Sequence, residues 1–206
     1  IEGLGYGSAH VVGASMGGMI AQTLVLEHPA AVRSLTSVMS TTGQRRHAVG
    51  DPRALLALLG PAPRTVEEYV EGNVELFRLV NGSGFPFDEE ASRAVARESA
   101  EHGIHARGFL RHMGAILRSG SRREALGAVT TPTLVIHGTE DPLVPYRAGV
   151  ATAAAIPGAT LMPIEGMGHE LPAGAWPRIV DGVCALIDRA DPDARGTIAD
   201  PAARKA

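Results

Sequence analysis

Cysteine is nearly absent: one residue, Cys184, in a chain of 206. A lone thiol makes no internal disulfide, so the expected setting is reducing and cytoplasmic. Cys184 lies in an apolar helical pattern and is expected to be a small buried side chain there. No uninterrupted apolar stretch approaches the ~20 residues that span a bilayer, so no membrane partner is expected. The opening Ile1-Glu2-Gly3-Leu4-Gly5 lacks the basic and then apolar order of a secretory signal. Charge does not lean either way: 19 Lys and Arg against 22 Asp and Glu give a formal net charge of -3. That balance argues against a nucleic-acid partner, which needs a basic patch. Internal repeats are absent, and so is an initiating methionine, so the chain reads as a piece of a longer product. What is present, 45% hydrophobic residues, suffices for one sizeable core with a subdomain.

Short apolar runs and helical spacing alternate at the two ends of the chain. His10 to Ala14 reads as a fully buried strand, and residues 17 to 28 read as a helix stopped by Pro29. Val32 to Met39 follows as a second strand, closing a right-handed βαβ unit. Between residues 43 and 128 the strand signal disappears. Pro52 to Leu59, Val66 to Val80, Glu89 to Glu101 and Ala106 to Leu117 carry helical spacing, punctuated by Gly60-Pro61-Ala62-Pro63 and by Asn81 to Pro86. Sheet character returns at Thr133 to His137 and at Thr160 to Ile164, with helices from about Pro145 to Ile156 and from about Ala175 to Arg189. The expected class is α/β: a parallel sheet with helices on both faces. The division is a core of 1–42 and 129–190, a helical cap of 43–128 and a disordered polar tail of 191–206.

Gly13-Ala14-Ser15-Met16-Gly17 stands between the first strand and the first helix. This is the nucleophile-elbow pattern, G-x-S-x-G, in which a tight turn strains the serine and admits only small residues two places before and after it. Asp141, in Gly138-Thr139-Glu140-Asp141-Pro142, follows the third strand, and His169, in Glu165-Gly166-Met167-Gly168-His169, follows the fourth. Three groups at the carboxyl ends of three parallel strands lie where such sheets bind ligands. Serine, histidine and aspartate are also the types that make an activated nucleophile: Ser15 attacks, His169 takes the proton, and Asp141 holds the imidazole tautomer. The backbone N–H of Met16, at a helix start, is the expected oxyanion donor.

Each residue has a plainer reading. Ser15 alone would be a helix N-cap, Asp141 a turn aspartate with Glu140 as rival acid, and His169 a surface histidine. His10, His28, His47, His102, His105, His112 and His137 read as structural or solvated. His102 and His105 have i, i+3 spacing without a third ligand, so no metal is expected, and no cofactor. Phe85, Phe87, Phe109, Met113 and Ile116 are candidates for a substrate pocket under the cap, or equally for cap packing. Arg107, Arg111, Arg118, Arg122 and Arg123 read as a solvated face.

With these motifs together, from about residue 9 to residue 189, the chain resembles the α/β-hydrolase superfamily in its serine hydrolase branch. Met39 to Gly43, Gly84 to Asp88 and the helical cap resemble small-molecule carboxylesterases of the aclacinomycin methylesterase type. The resemblance implies cleavage of a carboxylic ester of a small organic molecule through an acyl-enzyme. Perhydrolase, lactonase or carbon-carbon bond hydrolase chemistry would use the same residues, and a non-catalytic binding module or inactive fragment is the reading from another class. Aspartate-nucleophile relatives are disfavoured by Ser15. In the complete fold the elbow strand is central. At about 30 residues per βαβ unit, roughly 80 to 100 residues are expected upstream, bringing half the sheet and the second oxyanion donor. The open edge at Val11-Val12 is expected to be covered by such a segment, a partner chain or a second copy.

Overall fold

The computed structural model describes residues 1–192; the tail expected to be disordered from residue 191 lies outside them from 193 on. In chain order, β1 (Ala9–Ala14) leads through α1 (Met16–Glu27) to β2 (Val32–Val38). Six helices follow: α2 (Arg45–Ala48), α3 (Pro52–Leu58), α4 (Val66–Val80), α5 (Glu89–Glu101), α6 (Ala106–Arg118) and α7 (Arg123–Leu126). Then come β3 (Thr133–Gly138), α8 (Tyr146–Ala155), β4 (Thr160–Ile164) and α9 (Trp176–Ala190). The strands form one parallel sheet in the order β1-β2-β3-β4, with Val11 opposite Leu35, Leu35 opposite Thr133 and Val135 opposite Leu161.

Alternation along the strands divides the core between the two faces of this sheet. On one, Val32 and Leu35 of β2 pack with Ala21 and Val25 of α1, Leu126 of α7 and Ala155. On the other, Leu134 and Ile136 of β3 pack with Val38, Ile164, Met167 and Leu186 of α9. Leu35, Ile136, Ile164 and Leu186 are among the largest fully buried side chains, each stabilising the fold by about 1.5–3 kcal/mol. Helices therefore cover both faces.

Between β2 and β3, α4 packs on α5 through Val70, Val74 and Ala96. The starts of these helices are set by their sequence. Thr65 caps α4 by accepting from the Glu68 N–H, and Asp88 caps α5 by accepting from the Ala91 N–H. Arg93 joins the two helices by pairing with Glu71 as well as Glu89.

Three sequence expectations need correction. β1 is not fully buried: it pairs with β2 alone in the described sheet, and Val12 is 54% exposed. Cys184 is exposed, because α9 turns Ile179, Val183 and Leu186 inward and leaves Val180 and Cys184 on the opposite side. Arg122 does not belong to a solvated face. It is buried, donating to the Thr41 carbonyl at 3.1 Å, Gln22 Oε1 at 3.2 Å and Ser119 Oγ at 3.2 Å, and burial pulls its pKa down. Arg122 thereby ties α1 to the segment leaving β2.

Candidate active site

Ser15 occupies a backbone conformation few side chains adopt, φ 52° and ψ -117°, at the join of β1 and α1. Such a geometry costs on the order of 1–3 kcal/mol and persists only where its surroundings fix it. Here the Ser15 N–H donates to the Val38 carbonyl at 2.9 Å, and its own carbonyl accepts from Ser40 Oγ at 2.7 Å. The two elbow glycines are not equivalent. A methyl group at Gly13 would overlap the Gly17 carbonyl, whereas one at Gly17 would meet nothing within 4 Å. Crowding inside the elbow thus falls on the strand side. Although Ser15 precedes α1, its hydroxyl makes no capping bond to the helix.

The hydroxyl instead faces an imidazole. His169 Nε2 lies 2.9 Å from Ser15 Oγ, and His169 Nδ1 lies 2.7 Å from Asp141 Oδ2. The three residues expected to converge are within one hydrogen-bond relay of each other, from the exits of β1, β3 and β4. Asp141 and His169 are buried, and Asp141 Oδ1 accepts the N–H groups of Leu143 at 2.9 Å and Val144 at 2.8 Å. Burial pushes the Asp141 carboxyl up, but hydrogen bonds from His137, His169 and Val144, with the charge interaction with His169, outweigh it and hold the group below its ordinary value. An acid kept ionised here fixes the Nδ1–H tautomer of His169 and leaves Nε2 free to accept a proton from Ser15. Glu140, the rival acid, turns away and accepts from the Ser83 N–H at 2.7 Å and the Ser83 hydroxyl at 2.9 Å.

The turn carrying His169 is held by the segment leaving α4. His169 N–H donates to the Val80 carbonyl at 2.6 Å, Gly168 N–H to that of Asn81 at 2.8 Å, and Gly84 N–H to that of Gly166 at 2.9 Å. Gly168 is required by this contact, since a methyl group there would overlap the Val80 carbonyl. Met16 is the first residue of α1, and a first-turn N–H has no carbonyl within its own helix to bond. That leaves it available to an oxyanion beside Ser15.

Of the candidate pocket residues, Phe85 and Phe87 pack on different hydrophobic clusters. Phe85 packs on the core under α9, and Phe87 packs on Val70, Val74 and Ala96 with the Arg78 guanidinium 4.8 Å above its ring. Phe109 and Met113 sit on α6, with Phe109 37% exposed. A hollow of about 510 Å³ beside α6 is lined by Ile104, His105, Arg107, Gly108 and Arg111, and by none of the three relay residues. Among the described residues no group of three or more His, Cys, Asp or Glu gathers as metal ligands would, and no helix is long and apolar enough to cross a membrane. Sequence reasoning missed His137, whose Nε2 also approaches Asp141 Oδ2, at 3.4 Å. Its placement four residues before the acid, at a strand end, was the available signal.

A parallel sheet covered by helices, with a strained serine at a strand-to-helix turn and an acid and histidine at later strand ends, defines the α/β hydrolase class. The family described as alpha/beta hydrolase fold matches residues 1–173, and the chain belongs to it. Rhodomycin D methylesterase DnrP of Streptomyces peucetius is 32% identical over 205 residues, covering 90% of this chain and 68% of that protein. Rhodomycin D methylesterase DauP of Streptomyces sp. (strain C5) is 32% identical over 198 residues, covering 86% and 66%. Among solved structures, a meta-cleavage product hydrolase from Pseudomonas fluorescens superposes with a TM-score of 0.70 at 22% identity, covering 92% of this chain and 68% of its own. The chain thus spans about two thirds of the length of each of these three proteins.

Proposed function

We propose that the chain carries the nucleophile, base and acid of a serine hydrolase that cleaves a carboxylic ester of a small organic molecule, a methyl ester being the substrate class that its methylesterase relatives suggest. The observation that carries this reading is the relay of 2.9 Å and 2.7 Å from Ser15 through His169 to Asp141. In the acylation step Ser15 Oγ attacks the ester carbonyl while His169 Nε2 takes its proton, and the imidazolium that forms is stabilised by the ionised Asp141. The oxyanion accepts from the Met16 N–H at the positive end of α1. His169 then protonates the departing alkoxide, and water activated by the same imidazole hydrolyses the acyl-serine. An exposed single thiol suits a reducing, cytoplasmic setting. The open side of β1 fits coverage by a complementary segment or a second copy, and sedimentation of the purified chain would report the second copy as an assembly larger than a monomer.

A fluorophosphonate probe tests the reading directly. Ser15 should be labelled, and labelling should vanish in Ser15→Ala and fall steeply in His169→Ala. Silence from a folded sample would support the binding-module or inactive-fragment reading instead.

A further inference from the structure

His137, the last residue but one of β3, stands four residues before Asp141 and is fully buried, yet the relay from Ser15 to Asp141 does not use it. Its Nε2 lies 2.7 Å from the Val144 carbonyl oxygen. A carbonyl only accepts, so Nε2 carries the hydrogen. The same nitrogen lies 3.4 Å from Asp141 Oδ2, the oxygen that also receives His169 Nδ1–H at 2.7 Å. On the other side of the ring, Nδ1 is buried without a hydrogen-bond partner and is packed against Gly149 of α8, where a methyl group would overlap it. A second proton on Nδ1 would therefore be a buried donor with nothing to bond, so the geometry selects the neutral ring with hydrogen on Nε2. Tyr146 closes the ring edge-on, at 6.1 Å between centroids and 71° between planes.

Val144 is the shared element. Its N–H goes to Asp141 Oδ1 at 2.8 Å while its carbonyl takes the His137 hydrogen. We infer that His137 is a positioning residue for the acid: through Val144 it fixes the 141–144 turn, and as the weaker arm of a shared donor it holds Oδ2 in the direction of His169. This rests on the hydrolase reading only for its effect on rate. The placement of the hydrogen and the contact with Oδ2 stand on geometry alone.

The test uses the chain labelled with nitrogen-15 in its histidine rings, together with His137→Leu and His137→Gln. Gln places an amide N–H where Nε2 stands, while Leu keeps bulk and donates nothing. In the unsubstituted chain the ring spectrum of His137 should show hydrogen on Nε2 and a bare Nδ1. In His137→Leu, Oδ2 loses the arm that aims it, so the Nδ1–H of His169 should bond it less well and move upfield, while fluorophosphonate labelling of Ser15 slows about tenfold, the size of one lost hydrogen bond. His137→Gln should restore both. Hydrogen found on Nδ1 of His137 overturns the inference, even if His137→Leu does not fold. An unmoved His169 resonance in a folded His137→Leu variant, or a Gln variant no better than Leu, also overturns it. If Ser15 takes no label in any variant, the hydrolase reading fails while the two resonances still decide the role of His137.

Discussion

Asp141→Asn replaces one oxygen by an NH2 group of nearly the same shape, and the surroundings dictate which way the amide faces. Asp141 Oδ1 accepts two backbone donors, Leu143 N–H at 2.9 Å and Val144 N–H at 2.8 Å. Turning an NH2 toward them would forfeit both bonds, at about 1 kcal/mol each, and would leave buried donors facing one another. The amide oxygen therefore takes this position, and the NH2 points at His169 Nδ1. His169 then accepts at Nδ1, so its hydrogen moves to Nε2, 2.9 Å from Ser15 Oγ, where a bare nitrogen is needed. The expected consequence is loss of about 10⁴ in turnover, or about 5.5 kcal/mol of barrier, with the fold retained. The NH2 also meets the hydrogen of His137 Nε2, so stability should fall, on the order of 1 kcal/mol. Ester hydrolysis or probe labelling reads the first effect and urea unfolding the second. A folded Asp141→Asn chain working within tenfold of the original would refute the assignment of tautomer and acid together.

Gly13→Ala should abolish soluble folded protein or labelling, because its methyl group overlaps the Gly17 carbonyl, whereas Gly17→Ala should fold and stabilise α1 by up to about 1 kcal/mol; thermal unfolding of the pair checks the contrast. Gly168→Ala should part the His169 turn from Val80 and slow labelling more than it lowers stability, which the two measurements on one variant separate. Glu170 has a buried Oε2 without a partner, and its carboxyl is raised by burial and then by nearby Asp88. A carboxyl raised in the folded state penalises folding when ionised, so Glu170→Gln should raise the melting temperature at neutral pH. That gain should fade as pH falls through the raised value toward the ordinary carboxylate range. Melting curves showing no pH dependence in the difference would contradict it.

The strands and long helices were legible because each apolar run or helical spacing is bounded by glycine, proline or a capping residue, as Thr65 and Asp88 show at α4 and α5. Ser15, Asp141 and His169 were legible as candidates for a related reason: each follows an apolar run at a glycine-rich turn. Side-chain direction was less legible. α9 carries apolar residues on two sides, so spacing alone does not tell that Leu186 turns inward and Cys184 outward. Arg122 reads as one of five solvated arginines because its burial depends on carbonyls and amides far away in sequence, at Thr41 and Gln22. His137 reads only as structural or solvated; that it is fully buried, with Nε2 on the Val144 carbonyl, depends on Val144 folding back over it. Short helices α2 and α7, of four residues each, have no period long enough to detect.

The site is held chiefly by backbone partners outside the three residues themselves, and this decides which parts of the chain bear on its chemistry. Strain at Ser15, on the order of 1–3 kcal/mol, is matched by bonds from its N–H to Val38 and to its carbonyl from Ser40, so the end of β2 and the loop leaving it fix Ser15. Asp141 is fixed by Leu143 and Val144, within the turn that leads into α8. His169 differs: its N–H and that of Gly168 are held by Val80 and Asn81, at the end of α4. Ser83, two residues on, bonds Glu140 beside the acid, so one short segment touches the supports of both base and acid. Displacement of the α4–α5 pair would move His169 before it moved Ser15, since Ser15 has no such tie to that segment. The helical region therefore bears on proton transfer more directly than on the nucleophile, and substitutions between residues 80 and 84 should alter turnover more than they alter reactivity-independent binding of an ester.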